Sequence, residues 1–443
     1  METRGKDTYD VVGIGFGPSN LSLAVALEEQ QADDPENLIT TTFFERQPSF
    51  GWHRNMLLPA AKMQISFLKD LVTFRNPVSR FSFISYLHQM DRLARFVNNQ
   101  DFFPTRREFH DYLEWVESRL SNRVTYGTEV TAIRLPPQAG QGPVESVQVE
   151  VRNDTYPDGT RLINARNLVI STGLLPRMPA SIERDERVWH SSEFLEKFHQ
   201  LDRGELRRVA VVGAGQSAAE IVRFLYDELP GATIFAIIPS YGYSIADNTP
   251  YANQVFDASA VDEYYYGTEQ SKDAFWRYHR NTNYSVVEPE VIWDLYRRAY
   301  DEEVSRKKRL HLVKLTMIDA VKRAADETRI TVNSLLADES YDVDVDVLVC
   351  ATGYDPMQPT DLLHDLDGLL VRDGQGRYQI ERDYSLITMP DLCCGIYLQG
   401  GTERTHGLSS SLLSNIAVRS GEIANSIAVR LARERLRVSK WAE

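Results

Sequence analysis

The stretch YDVVGIGFGPSNLSLAVALEE, residues 9–29, decides the fold. An apolar strand runs into a glycine-rich turn, and a helix follows with Leu21, Leu23, Ala24 and Leu27 on its inner side. Gly15 and Gly17 take the first two glycine places of a dinucleotide fingerprint, Pro18 opens the helix, and Asn20 stands in the third place. Small residues there let the backbone approach a pyrophosphate, which sits on the N–H groups of the helix N-terminus. A second strand, TTTFFERQP (40–48), ends at Glu45, a carboxylate placed to accept hydrogen bonds from a ribose diol.

The same grammar recurs in RRVAVVGAGQSAAEIVRFLYDELPGATIFAIIP (207–239), with Gly213 and Gly215 in the turn, Gln216 and Ser217 after it, and Ala218 in the third place. One glycine turn is easily a structural accident; two in one chain imply two mononucleotide-binding units, FAD on the first and a nicotinamide cofactor on the second. VISTG (169–173) and VLVCATGYDP (347–356) are apolar strands ending in Thr-Gly turns, which suit crossings between two domains. The predicted fold is α/β, with two Rossmann-like dinucleotide-binding domains, for FAD and a nicotinamide cofactor, and a small inserted substrate-binding segment. Residues 1–175 and 347–443 are expected to form the FAD domain, 176–243 and 290–346 the nicotinamide domain, and 244–289 the insertion. That insertion is rich in Asn, Tyr and Thr, lacks an apolar period and reads as loop-rich.

A chain of 443 residues with 42% hydrophobic content has room for two or three cores. Its net charge of -14 argues against nucleic acid or an anionic membrane as partner. The polar start METRGKDTYD leads straight into a strand, unlike a signal peptide, and no apolar run reaches membrane-spanning length, so a cytoplasmic location is expected. Cys350, Cys393 and Cys394 form neither a disulfide framework nor a spaced metal site, and no metal is expected. Lacking a C-x-x-C pair, the chain is a poor dithiol-disulfide reductase.

Electron transfer and oxygen activation are the remaining uses of such a cofactor pair. The motifs GIGFGPSNLSLA, WHRNMLLPAAKMQISFLKDLVTFRNP, FPTRREFHDYLEW, VVGAGQSAAEI, DNTPYANQVFD, NTNYSVV, CATGYDP and ERTHGLSSSLLS, in this order, span nearly the whole chain. Together they resemble the microbial N-hydroxylating flavin monooxygenases, most closely the L-ornithine N5-monooxygenases of actinobacterial type, with the lysine N6-hydroxylases as near neighbours.

The resemblance implies a cycle. NADPH reduces FAD, O2 adds as a C4a-hydroperoxide, and the side-chain amine of L-ornithine takes its distal oxygen to give N5-hydroxyornithine, for a hydroxamate siderophore or a related nonribosomal peptide. A free alkyl ammonium has a pKa of roughly 10.4, so the pocket must accept the neutral amine. Desolvation and neutral donors and acceptors do this better than a carboxylate, which would hold the charge.

By resemblance, Lys69 binds the substrate carboxylate, Asn253 and Asn283 hold the amino-acid head group, and Leu408 and Ser410 lie near the reacting amine. Gln64, Trp52, His53, Gly407, Leu408 and Ser409 face the flavin, and Asn283 also faces the nicotinamide cofactor. No residue is assigned as acid or base, His190 reads as structural, and a homotetramer is the family expectation. Taken alone, Lys69 would be an ordinary surface lysine whose stem lies along apolar neighbours. One departure concerns Pro239, which stands where several relatives carry an arginine for the 2'-phosphate; Arg207, Arg208, Arg277 and Arg280 are the candidate substitutes. The competing readings are a lysine or diamine N-hydroxylase and a non-oxygenating flavin electron-transfer protein.

Overall fold

In the computed structural model, residues 8–137, 139–140, 142–180, 182–324 and 327–442 are described. The two glycine turns sit at the strand ends of two parallel sheets. The first sheet has the order Gly395–Leu398, Asn167–Ile170, Val11–Ile14, Thr41–Phe44, Val124–Thr125. Val11–Ile14 is buried along its whole length, as a central strand covered on both faces must be. Helices Pro18–Asp33 and Ile416–Ala442 pack together on one face, with Phe109, Tyr112 and Leu113 of helix Arg106–Glu117 in the same core. The other face carries the antiparallel strands Glu129–Arg134, Val147–Arg152 and Thr160–Ala165. Val147, Val149 and Val151 alternate inward onto Val12 and Ile14.

The second sheet repeats the plan with the order Val188–His190, Val347–Cys350, Arg208–Val212, Thr233–Ile237, Leu310–Val313, all parallel. Helices Gln216–Glu228 and Pro289–Ser305 cover one face through Ile221, Leu225, Val291 and Leu295. The meander Thr316–Ala324, Glu327–Ser334, Glu339–Val345 covers the other through Ile330, Val332 and Val345. Leu174–Pro176 and Tyr354–Pro356 pair antiparallel where the chain passes between the two units.

Two expectations need correction. Val347–Cys350 was expected to open the returning FAD domain, yet it lies between Val188–His190 and Arg208–Val212 in the second sheet, so the return comes after it. The insertion is helical rather than loop-rich: Ser244–Ile245 and Val286–Val287 pair to close its neck, and Pro250–Asn253, Ala258–Tyr265 and Glu269–Asn283 are helices. Glu269–Asn283 buries none of its residues, so no apolar period betrays it. Its start is marked instead by Thr268, whose side chain accepts from the Ser271 N–H at 3.2 Å. Among the described residues no helix is long and apolar enough to cross a membrane.

Candidate active site

At the first turn, Gly15 has φ +82°, and a Cβ there would lie 2.4 Å from the Ser171 carbonyl oxygen. Gly17, just before helix Pro18–Asp33, faces open space within 4 Å. This is the shape a pyrophosphate requires: a free approach to the first N–H groups of a helix. Glu45 is buried at the strand end; one oxygen accepts the Phe16 N–H at 2.7 Å and the other the Gln47 N–H at 2.9 Å. Each oxygen keeps further acceptor capacity. The Asn20 side chain is fully buried and serves the turn itself, its Nδ2 donating to the Gly15 carbonyl at 2.7 Å and its Oδ1 accepting from Gln399 Nε2 at 3.1 Å.

The second turn has the same build. Gly213 has φ +138°, and a Cβ there would meet the Ala351 carbonyl oxygen at 2.3 Å. Ser285 lies against Gly215, which brings the end of helix Glu269–Asn283, and so Asn283, to this turn. Gln216 accepts the Glu288 N–H at 2.8 Å and donates to Glu220 at 2.9 Å. Ser217 follows it in the first turn of the same helix.

Between the turns stand Trp52 and His53, edge to face at 4.6 Å, with Trp52 backed by Phe109 at 6.0 Å. His53 sits in left-handed backbone with φ 50° and keeps an exposed face, so it is not part of a sealed core. The protein mass around it, and secondarily the Arg106 guanidinium, push its pKa down to about 4. His190 is buried with both ring nitrogens engaged: Nδ1 accepts the Ser192 N–H at 3.1 Å, and Nε2 contacts the Gly353 carbonyl at 2.9 Å. Its place is structural.

Residues 62–71 are fixed by backbone bonds to the segment before helix Arg106–Glu117. The Met63 N–H donates to the Pro104 carbonyl and the Phe67 N–H to the Phe102 carbonyl, both at 2.9 Å. Buried Asp70 accepts the N–H groups of Val72, Thr73 and Phe83. This anchor holds its neighbour Lys69, which is half-buried with Nζ 5.7 Å from the centre of the Phe256 ring. Among the described residues no carboxylate comes within 4.0 Å of that ammonium. Burial lowers its pKa, with Asp257 partly opposing. Gln64 is exposed on the same segment.

Phe256 and its neighbours touch the turn Leu408–Ser411. Gly407, with φ +80°, lies against Tyr264, where a Cβ would come within 3.1 Å of the ring. Leu408, Ser409 and Ser410 are buried, and the Ser410 hydroxyl has no hydrogen-bond partner among the described residues. Asn253 ends helix Pro250–Asn253, which packs on helix Glu269–Asn283. Lys69, the Asn253–Phe256 segment and the 407–410 loop therefore converge from three distant parts of the sequence.

A family model described as L-lysine 6-monooxygenase/L-ornithine 5-monooxygenase matches residues 7–356. The chain belongs to this family. It is 36% identical to the L-ornithine N(5)-monooxygenase of Pseudomonas aeruginosa, over 95% of this chain and 93% of that protein. With the L-ornithine N(5)-monooxygenase of Burkholderia cepacia it shares 39% identity over 90% of each chain. Among solved structures, the Kutzneria sp. 744 ornithine N-hydroxylase with reduced FAD, NADP+ and L-ornithine superposes with a TM-score of 0.91 at 64% identity, covering 96% of this chain and 99% of that one. The L-lysine 6-monooxygenase of Pseudomonas syringae gives a TM-score of 0.82 at 30% identity, covering 95% and 99%.

Within this monooxygenase, sequence reasoning passed over Arg106, Tyr354 and Lys314. Arg106 pairs bidentately with buried Glu220, at 3.0 and 3.1 Å, and so ties the flavin-side helix to the second glycine turn. Tyr354 faces His190 at 4.9 Å and His53 at 6.4 Å. Among the arginines considered for the 2'-phosphate, Arg207 and Arg208 lie at the start of strand Arg208–Val212, the end away from Gly213, and Arg208 pairs with Glu327 at 2.7 Å. Arg277 and Arg280 lie on the helix that ends at the second turn. Lys314 is a further cation, just past strand Leu310–Val313; its Nζ is 4.4 Å from the Tyr241 ring, and the Leu315 N–H donates to the Ser240 carbonyl at 3.0 Å. Only the pairing of strands separated in sequence puts Lys314 there.

Proposed function

We propose that the chain is an FAD- and NADPH-dependent L-ornithine N5-monooxygenase that converts the side-chain amine to a hydroxylamine. The observation that carries this reading is Lys69: a half-buried ammonium on a backbone-anchored segment, with no carboxylate within 4.0 Å among the described residues, facing Phe256 beside the 407–410 loop. Such a cation suits the α-carboxylate of an amino acid. Its similarity to the Kutzneria ornithine N-hydroxylase, at 64% identity, supports ornithine as that amino acid.

The first turn suits FAD, because Gly17 leaves open space at a helix N-terminus and Glu45 ends the neighbouring strand. Gly17 and Asn20 offer N–H groups to the pyrophosphate, while Gly15, whose own N–H bonds the Phe44 carbonyl, shapes the turn and Pro18, which has no N–H, opens the helix. Trp52, His53, Gln64 and the 407–409 turn form the flavin wall. Bound FAD, once reduced, activates O2 for transfer to the amine. The chain's residues orient and dry the reaction: Lys69, Asn253 and Asn283 hold the head group, while Leu408 and Ser410 surround the amine with an apolar side chain and a neutral hydroxyl. No carboxylate is needed there, so the amine is not held as ammonium.

Gly213, Gly215, Gln216, Ser217 and Asn283 receive NADPH. Lys314 and Arg277 or Arg280 supply the cations for its 2'-phosphate, since the ribose of a nucleotide on this fold lies beyond the end of the second strand. The flavin unit comprises the first sheet and the C-terminal helix, the nicotinamide unit the second sheet and its meander, and 244–289 the substrate-binding insertion. The product serves hydroxamate siderophore or related peptide synthesis in the cytoplasm. A homotetramer is supported by helix Pro289–Ser305, where Trp293, Tyr296, Tyr300 and Val304 form an outward stripe, each more than half exposed; light scattering should give four chains, and a monomer would remove that reading.

Mass spectrometry of the amino acid after incubation with NADPH and isotopically heavy O2 tests the activity. Ornithine one heavy oxygen heavier is expected, and ornithine recovered unchanged would refute it.

A further inference from the structure

Arg419 lies in the first turn of helix Ile416–Ala442 and is 1% exposed. Among the described residues no carboxylate lies within 4.0 Å of its guanidinium; Glu403 and Glu422, the latter paired with Arg382 at 2.9 Å, act on it only from farther away, and Tyr384 and His406 are the other titratable groups facing it. Arg419 donates instead to neutral oxygens: Nε to Gln399 Oε1 at 3.4 Å, one terminal nitrogen to Ser19 Oγ at 3.1 Å and the other to the Ser410 carbonyl. A buried charge of this kind is costly unless something compensates it. Its surroundings add to the cost, because Ser19 is in the first turn of helix Pro18–Asp33, so two positive helix ends meet at the guanidinium. Among the described residues, the buried Ser410, Ser411 and Ser414 hydroxyls nearby in sequence have no hydrogen-bond partner.

The bonds form one connected relay. Asn20 Nδ2 donates to the Gly15 carbonyl, Gln399 Nε2 donates to Asn20 Oδ1, Arg419 Nε donates to Gln399 Oε1, and Arg419 reaches the Ser410 carbonyl. The first glycine turn is thereby joined to the loop that faces flavin and substrate. We infer that Arg419 is a positioning residue for the reduced flavin: it fixes the Ser410 loop against the first turn, and its charge, which no carboxylate pairs directly, favours the flavin anion formed by two electrons and one proton over the neutral form that takes a second proton. This rests on the FAD reading given above.

The test is the midpoint potential of the FAD-loaded protein against pH, with free FAD measured alongside. A two-electron couple moves ~30 mV per pH unit when one proton accompanies the electrons and ~59 mV when two do. In the wild type the shallow slope should persist to lower pH than for free FAD; a break at the same pH would overturn the inference, and this arm needs no variant. In Arg419→Met the break should return toward that of free FAD and FAD should bind about tenfold more weakly. Arg419→Lys keeps the charge but not the fork, so its break should stay near the wild type while more hydrogen peroxide escapes with ornithine. A break moved equally in both variants would reduce Arg419 to a purely structural part and overturn the inference. If FAD binds and these slopes hold but no amine is hydroxylated, the substrate reading fails and this one stands.

Discussion

Gly15 lies so close beneath Ser171 that a Cβ on the glycine would come within 2.4 Å of the serine's carbonyl oxygen. Gly213 and Ala351 repeat the relationship in the second unit, at 2.3 Å. Backbone cannot move aside as a side chain can, and both glycines have positive φ. Gly15→Ala should therefore be purified largely without FAD. Gly213→Ala should be purified yellow, with flavin reduction by NADPH at least tenfold slower. Absorbance spectra and stopped-flow reduction check both; a colourless Gly213→Ala protein would show that the units are not separable in this way.

Lys69 should govern substrate binding and leave flavin reduction nearly alone. A hydrogen bond to a charged group contributes roughly 1.5–3 kcal/mol, so Lys69→Ala should raise the ornithine KM about 10- to 150-fold. Steady-state kinetics and anaerobic reduction separate the two effects. An unchanged KM would remove Lys69 from the substrate site.

The same lysine should shape the alkaline limb of the pH profile. Burial holds its pKa below the ordinary 10.5, so as pH rises Lys69 loses its charge before a solvent-exposed lysine does. The ornithine KM should climb on that limb, and Lys69→Arg, which stays protonated, should flatten the climb. A KM that rises equally in both proteins would place the titration elsewhere.

The Arg106–Glu220 pair, with side chains 12% and 1% exposed, joins the two units. Removing one partner of a buried pair leaves the other uncompensated, at a cost of about 3–5 kcal/mol. Glu220→Ala should lower thermal stability accordingly and slow reduction by NADPH, since Gln216 also loses its acceptor. Scanning calorimetry of the holoprotein would contradict this if the transition did not move.

Lys314 should discriminate between nicotinamide cofactors. Lys314→Ala is expected to raise the NADPH KM about tenfold while leaving NADH little changed, as loss of a single phosphate-bound cation should. Equal effects on both cofactors would assign the 2'-phosphate to Arg277 or Arg280.

Both dinucleotide turns were legible because their demands are local: a strand, two glycines and a helix start all fall within a short stretch. Lys69 was legible only through its family pattern, since a lysine among apolar residues has the same appearance on any surface. Val347–Cys350 was misassigned because an apolar strand before a Thr-Gly turn reads alike whichever sheet receives it, and its partners lie far away in sequence. The helix Glu269–Asn283 was missed because it buries nothing. Arg419 was invisible for a similar reason: its contact with Ser19 spans 400 residues.

The central claim is that the pocket holds an amino acid by its carboxylate while its side-chain amine is oxidised. Its most direct test is to offer the FAD-loaded protein L-ornithine, L-lysine and putrescine separately with NADPH and O2, and to count hydroxylamine and hydrogen peroxide against NADPH consumed. The account predicts near one-to-one hydroxylamine with ornithine, and mostly peroxide with putrescine, which has no carboxylate for Lys69. Equal hydroxylation of putrescine, or peroxide alone from every amine, would contradict it.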